Sequence, residues 1–228
     1  MTLPRVVTPD AARAFWDARY AQGLVYGTEP TSVAPIIGAA LATAGVRTVL
    51  DAGCGSGRDA LYYARNGFTV TALDISEQAI KRAAEWGARE RLTVTCIAAD
   101  LLEADLPTGA FDAAVAIHVI HLQPEPVRMA MVNRLWHLTR DGGLVALTNF
   151  SVEEPGFTAW PAYTEPNTRV DPKGKLIHFF DEADIRTLFP PDRFDLITCE
   201  LVDLAEVPDS GPVVHREWLT IARKVRAC

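Results

Sequence analysis

The sequence predicts an α/β protein, a mostly parallel sheet with helices on both faces, formed as one domain over residues 1–228. Three observations carry that prediction. Short apolar runs alternate with helical stretches from Arg47 to Asn149, the pattern of parallel strands joined by crossover helices. The run Thr48-Val-Leu50 passes straight into a glycine-rich loop, Asp51-Ala-Gly-Cys-Gly-Ser-Gly57, with a helix immediately behind it. Acidic residues follow successive strands at Asp51, Asp74 and Asp100, on the sheet edge where open α/β sheets bind ligands.

Each element follows from local chemistry. Asp10 to Tyr20 sets Phe15 and Trp16 among helix formers, with Asp10 as the expected cap. After the Gly/Pro-punctuated loop Gln22 to Pro30, a second helix runs from Ser32 to Ala44 and stops at Gly45. Residues 1–45 thus read as an N-terminal helical cap. Strands are expected at Arg47–Leu50, Thr69–Leu73, Leu92–Ala98, Phe111–Ile117 and Leu144–Asn149. Helices are expected at Ser56–Asn66, at Ser76–Glu90 with Ser76 as cap, and at Pro124–Thr139, stopped by Asp141-Gly-Gly143. The Pro- and Gly-bearing stretch Glu153 to Gly174 is longer than connections usually run inside a domain, so residues 150–180 read as a lid. A helix over Asp181–Phe189 follows. The β-rich runs Phe194–Leu204 and Val213–Val225, joined by the turn Pro208-Asp-Ser-Gly-Pro212, suit a terminal hairpin.

Composition narrows the function. Hydrophobic residues make up 49% and charged residues 22%, a globular balance. A net charge of −7 with scattered Lys and Arg offers no footprint for nucleic acid. The cysteines Cys54, Cys96, Cys199 and Cys228 form no C-x-x-C pair, so neither zinc nor a disulfide framework is expected, which suits a reducing compartment. Met1 to Asp10 lacks the pattern of a signal peptide, and no stretch approaches the roughly 20 apolar residues that span a bilayer. The expectation is a cytoplasmic protein, monomer or homodimer, with no membrane or nucleic-acid partner and no metal.

The glycine loop carries the chemistry. Glycines at alternate positions let the backbone turn sharply and let a ligand lie against the main chain, close to a helix N-terminus whose free N–H groups favour negative charge. A dinucleotide fingerprint, G-x-G-x-x-G, needs its third glycine at position 58 or 60, and those positions hold Arg58 and Ala60. The observed G-x-G-x-G, with Asp51 two residues ahead of Gly53, resembles motif I of the class I methyltransferases. An NAD-dependent oxidoreductase is the disfavoured alternative.

That resemblance implies S-adenosylmethionine as cofactor and S-adenosylhomocysteine as product. It sets Asp51 near the amino group of the methionine moiety, and Gly53, Cys54, Gly55 and Gly57 beneath the ligand. It sets Asp74 and the adjoining Ile75 at the ribose, and Asp100 with Leu101 at the adenine edge. Asp74 is equally placed to start the helix at Ser76, and both readings are open. The stretch Gly53-Cys-Gly-Ser-Gly-Arg-Asp-Ala-Leu-Tyr62, with Asn66-Gly67 and Val70-Thr-Ala-Leu-Asp74, is similar to the tellurite-resistance methyltransferases and, more loosely, to the thiopurine methyltransferases. Phe15-Trp-Asp-Ala-Arg-Tyr20 and Tyr26-Gly-Thr-Glu-Pro30 look like the element that caps the active site in those relatives. The likeness runs from residue 13 to about 150 and returns at Leu219-Thr-Ile-Ala-Arg-Lys224. It implies a Rossmann-like fold, a seven-stranded sheet with an antiparallel last strand, and small soft acceptors such as a thiol, selenol or metalloid oxyanion.

Methyl transfer from a sulfonium is an in-line displacement, so orientation supplies most of what an enzyme must add. An anionic soft acceptor needs no base, whereas O- or N-methylation of a metabolite, the alternative chemistry, calls for one. His118, at the end of the fourth strand, is set beside the cofactor by the resemblance, and His121 is the candidate catalytic base. Trp16, Tyr20 and Tyr26 are candidates for an aromatic wall over the sulfonium and acceptor, or for core packing. Arg58 is a candidate for an anionic acceptor or a surface salt bridge. Ile117-His-Val-Ile120 lacks the Asn/Asp-Pro-Pro-Tyr/Phe signature of methylases of macromolecular amines. A non-catalytic module that senses the cofactor is the remaining alternative.

Overall fold

The alternation along the chain becomes one seven-stranded sheet in the computed structural model, which describes residues 8–206 and 213–226. Helices α1 (Pro9–Ala21) and α2 (Ala34–Thr43) lead into β1 (Thr48–Ala52), α3 (Arg58–Arg65), β2 (Thr69–Asp74), α4 (Glu77–Arg89) and β3 (Val94–Ala98). Then come β4 (Phe111–Ile117), α5 (Glu125–Leu138), β5 (Thr139–Phe150), α6 (Pro155–Ala159), β6 (Thr168–Val170), β7 (Leu176–His178), α7 (Glu182–Leu188), β8 (Phe194–Glu206) and β9 (Val213–Lys224). The spatial order is β3-β2-β1-β4-β5-β9-β8. Pairing is parallel from β3 to β5, and β9 runs antiparallel to both β5 and β8. This is the Rossmann-like arrangement with an antiparallel last strand that the sequence led us to expect.

Because side chains alternate across a strand, each central strand feeds two cores. Val49, Ala113, Val115, Leu144 and Ala146 pack on one face with Ile37 and Leu41 of α2 and Tyr63 of α3. Leu50, Ala114, Ala116, Val145 and Leu147 pack on the other with Leu135 and Leu138 of α5 and Ile185 of α7. Truncating one fully buried leucine, such as Leu135, costs about 2–5 kcal/mol. Both faces are therefore covered, and ligands can enter only along a sheet edge. Among the described residues no helix is long and apolar enough to cross a membrane.

Four local expectations need correction. Helix α1 is capped by Thr8, whose side chain accepts the Ala11 N–H, because Pro9 takes the first helical position and leaves Asp10 in the first turn. Helix α3 begins at Arg58 and not at Ser56, since Gly57 is left-handed. Asp141-Gly-Gly143 does not end a helix. It lies inside β5 where the register against β4 shifts, and a Cβ on Gly143 would come within 2.5 Å of the Asp112 carbonyl oxygen. The long stretch after Phe150 is not irregular throughout, since it contains α6 and the two-stranded ribbon of β6 and β7. By contrast Ser76 caps α4 as expected, accepting the Ala79 N–H at 3.1 Å. The turn expected at Pro208–Pro212, the Met1–Val7 stretch and Cys228 lie outside the described residues.

Candidate active site

Strand β1 lies between β2 and β4, where the strand order reverses, and such a switch point opens a crevice at the carboxyl ends of the strands. The glycine loop leaves β1 there. The N–H groups of Gly53 and Cys54 donate to the Leu73 carbonyl at 2.6 and 3.0 Å, which staples the loop to the end of β2. Gly53, Gly55 and Gly57 all take positive φ, at 78, 55 and 91°. A side chain on Gly53 would strike Val119, and one on Gly55 would strike the Tyr20 hydroxyl. A Cβ on Gly57 would meet Ala83 of α4 at 2.9 Å, so this last glycine serves helix packing and not the crevice.

Buried acids crowd around the loop. Asp51 is 2% exposed, and its Oδ2 has no hydrogen-bond partner. Burial pushes its carboxyl well above the usual range, and the neighbouring charges of Asp59 and Asp74 push the same way. Asp74 accepts the Gly55 N–H at 2.8 Å and the Ser76 N–H at 2.9 Å. Its pKa is pushed up to about 6, by burial first, with those two N–H bonds opposing. Asp59 is held by the Thr31 N–H at 2.7 Å and by the Thr31 hydroxyl, and burial again raises its pKa. Half-buried Asp100 accepts the Leu102 N–H at 2.9 Å at the end of β3. A crevice floored by desolvated carboxylates favours a ligand with positive charge, and repels the pyrophosphate of a dinucleotide.

The floor belongs to a cleft of about 330 Å³. Helix α1 roofs one end, with Trp16 and Tyr20 rings 6.0 Å apart and Tyr20 and Tyr26 rings 6.2 Å apart. Asp17 fastens this roof by accepting the Ser76 hydroxyl at 2.6 Å and the Gln78 N–H at 3.1 Å, while Arg82 donates to the Tyr20 carbonyl at 2.7 Å. Lys175, from the segment before β7, lies 5.8 Å from the Trp16 ring centroid, so the two roofing segments meet over the cleft. Arg58 donates to the Tyr26 carbonyl at 3.2 Å.

Imidazoles surround Phe150 at the other end. His118 has φ of 58°, rare for a residue with a Cβ, and its Nε2 lies 2.7 and 2.8 Å from the two carboxylate oxygens of fully buried Glu217 on β9. His121 is 2% exposed and stacks on Phe150 with ring centroids 4.5 Å apart. Burial holds its pKa well below the ordinary value, helped by His118, Lys175, His215 and His178. His215 Nδ1 sits 2.9 Å from Glu154 Oε1, and its ring is 5.0 Å from Phe150.

Residues 49–143, the span that builds this loop and the first five strands up to the β5 register shift, match the family model for a methyltransferase domain. That span is similar in sequence to methyltransferase domains. The chain is 36% identical over 111 residues to an uncharacterized methyltransferase of Mycobacterium tuberculosis, covering 49% of this chain and 54% of the relative. The chain thus spans about half the length of that relative. Over 164 residues it is 29% identical to a ubiquinone biosynthesis O-methyltransferase of Xanthomonas oryzae, covering 72% of this chain and 67% of that one. In fold it is similar to the Burkholderia thailandensis 1,6-didemethyltoxoflavin-N1-methyltransferase, solved with 1,6-didemethyltoxoflavin and S-adenosylhomocysteine bound. The TM-score is 0.72 at 22% identity, over 99% of this chain and 94% of that one.

Within the matched span and its roof, the residues singled out from sequence converge. Asp51, Gly53, Cys54, Gly55, Asp74, Ile75, Asp100, Leu101, His118 and His121 all line the cleft, as do Trp16, Tyr20, Tyr26 and Arg58. Gly57 does not. Sequence reasoning missed Phe150, Glu154, Lys175, His215 and Glu217. One signal for them existed. His215, Glu217, Leu219 and Ile221 share a face of β9, and an acid in a row of inward-facing positions is a buried polar group that needs a partner.

Proposed function

We propose that this protein transfers a methyl group from S-adenosylmethionine to a small-molecule acceptor. The observation that carries the reading is the unpartnered Oδ2 of buried Asp51, set beneath the glycine loop and flanked by two further buried acids. Among the described residues the acids outnumber the one cation beside them, Arg58, and the ammonium of the methionine moiety suits that Oδ2. The remaining contacts fit too: Gly53 and Gly55 keep the loop backbone bare, Asp74 and Ile75 suit the ribose, and Asp100 with Leu101 suits the adenine. The cofactor supplies an electrophilic methyl group on a sulfonium. This chain's residues hold it, exclude water under α1 and Lys175, and aim the acceptor.

On this reading residues 1–45 act as a cap and residues 150–180 as a lid over a single catalytic domain. The partner is a small molecule and not nucleic acid, and the protein works as a monomer or homodimer in the cytoplasm. The resemblance to tellurite-resistance enzymes favours a thiol, selenol or metalloid oxyanion. The histidine and carboxylate pairs around Phe150 favour an acceptor that must lose a proton, as does the likeness to an O-methyltransferase.

Calorimetric titration with S-adenosylmethionine, S-adenosylhomocysteine and NADH tests the cofactor. The first two are expected to bind and NADH to stay inert; binding of NADH alone defeats the reading. Release of S-adenosylhomocysteine across thiols, selenite, tellurite, aryl hydroxyls and amines then separates an enzyme from a cofactor sensor.

A further inference from the structure

We propose that His118, backed by Glu217, is the general base for methylation of a hydroxyl on a flat aromatic acceptor. This deepens the reading above and rests on it.

The argument starts from the cost of Glu217. A carboxylate that is fully buried in a strand's inward face is expensive unless it is paired, and its partner here is the imidazole of His118 at 2.7–2.8 Å. The pairing dictates the tautomer: Nε2 carries the hydrogen donated to Glu217, which leaves the lone pair on Nδ1. His118 lines the cleft, while Glu217 reaches it only through His118. The ring is held with a left-handed backbone, and the His118 N–H donates to Thr148 Oγ1 at 3.3 Å. Strain of that kind, about 1–3 kcal/mol, persists where surrounding structure enforces it, and it gathers at functional sites. His121 is the weaker base. Among the described residues it has no carboxylate partner, and it is buried against Phe150 among other positive groups.

The chamber also describes its occupant. Phe150 is tilted or stacked against His121, His215 and Phe179, with centroids 4.5, 5.0 and 6.1 Å away, so ring faces make this wall. A flat apolar body suits a wall of ring faces, and His118 supplies a proton acceptor at the polar edge. A soft anionic acceptor would leave the His118–Glu217 pair without a task.

The step balances. The acceptor O–H gives its proton to Nδ1 of His118, and the oxygen lone pair forms the new bond to the methyl carbon. The pair from the broken carbon–sulfur bond stays on sulfur, leaving a neutral thioether, while the imidazolium rests against the Glu217 carboxylate until its proton returns to water. Glu217 is a positioning residue in this scheme. Among the described residues, the titratable and charged groups around the His118 and Phe150 rings are Glu217 and His215 on β9, His121 after β4, Asp59 on α3, Glu154 behind His215, and Lys175 before β7.

The test uses the full chain with S-adenosylmethionine, a panel of aryl hydroxyls from phenol to 4-nitrophenol, and thiophenol as the soft control. Asparagine tolerates the left-handed backbone, so His118→Asn is the cleanest variant. It is expected to slow phenol methylation about 10²–10⁴-fold, while 4-nitrophenol and thiophenol, already ionised at neutral to mildly alkaline pH, lose far less. Glu217→Gln should lower kcat and move the acid limb of the pH profile to lower pH, and Glu217→Asp should restore part of both. A readout apart from turnover is the phenolate absorbance of 4-nitrophenol bound below its solution pKa in the presence of S-adenosylhomocysteine. It should vanish in His118→Asn. An equal loss on every acceptor, an unmoved acid limb in Glu217→Gln, or cofactor binding with transfer to thiophenol and to no aryl hydroxyl overturns the base assignment alone. Failure of the wild-type chain to bind S-adenosylmethionine overturns the cofactor reading and this inference with it.

Discussion

Replacing Asp51 by asparagine separates the ligand-binding role of this carboxyl from any structural one. The side chain keeps its shape. The amide nitrogen can take the place of Oδ2, which among the described residues has no hydrogen-bond partner to lose. What disappears is a buried negative charge close to Asp59 and Asp74. Two effects of opposite sign follow. The ligand's ammonium loses a charge-assisted hydrogen bond, worth about 1.5–3 kcal/mol, so the Kd for S-adenosylmethionine should rise about 10- to 150-fold. The ligand-free protein loses an acid whose folded pKa is raised above its unfolded value. Such a group destabilises the fold increasingly as pH rises past the unfolded pKa, because the unfolded chain then holds fewer protons than the native one. Asp51→Asn should therefore raise the Tm of the ligand-free protein at neutral pH and flatten its decline with pH. Calorimetric titration gives the affinity, and thermal melts at several pH values give the stability. An unchanged affinity refutes the placement of Asp51 at the ligand, and a fall in Tm would mean that its carboxylate is a structural anchor.

Asp74 makes the same sign argument with a number: its pKa is raised from 3.8 to about 6, so its contribution to stability should fall by about 2–3 kcal/mol as pH rises from about 4 to 6. Asp74→Ala should remove that slope and weaken S-adenosylmethionine binding by about 1.5–3 kcal/mol, and no change in affinity would leave Asp74 only as the tie between the glycine loop and the start of α4. Gly55→Val puts a branched side chain against the Tyr20 hydroxyl at a positive φ. Cofactor binding should be lost while cooperative unfolding survives, and retained affinity would contradict the site. Asp17→Ala unfastens α1 from the start of α4, so stopped-flow Trp fluorescence should show faster cofactor release and up to about tenfold weaker binding. Equal release rates would mean that α1 does not gate the cleft.

What the sequence made legible, and what it hid, divides along one physical line. The glycine-loop end of the cleft is built from contiguous chain: a strand, its glycine loop and the next helix, repeated with an acid at each strand end, so Asp51, Gly55, Asp74 and Asp100 appear as spacing. Even the N-terminal aromatics announce themselves, since Trp16 and Tyr20 are four apart on one helix face. Gly57 misleads for a local reason, because a left-handed helix entry facing Ala83 demands glycine as firmly as a ligand does. The Phe150 end is assembled across the sheet instead. His118 meets Glu217 only because β9 inserts between β5 and β8, pairing Phe150 with Glu217 across 67 positions of chain. No periodicity in the first 150 residues encodes that register. Had the inward face of β9 been read for its buried acid, the search for a partner would have led to the one strand end already holding a histidine. That pairing is what turns the proposed base from His121 to His118.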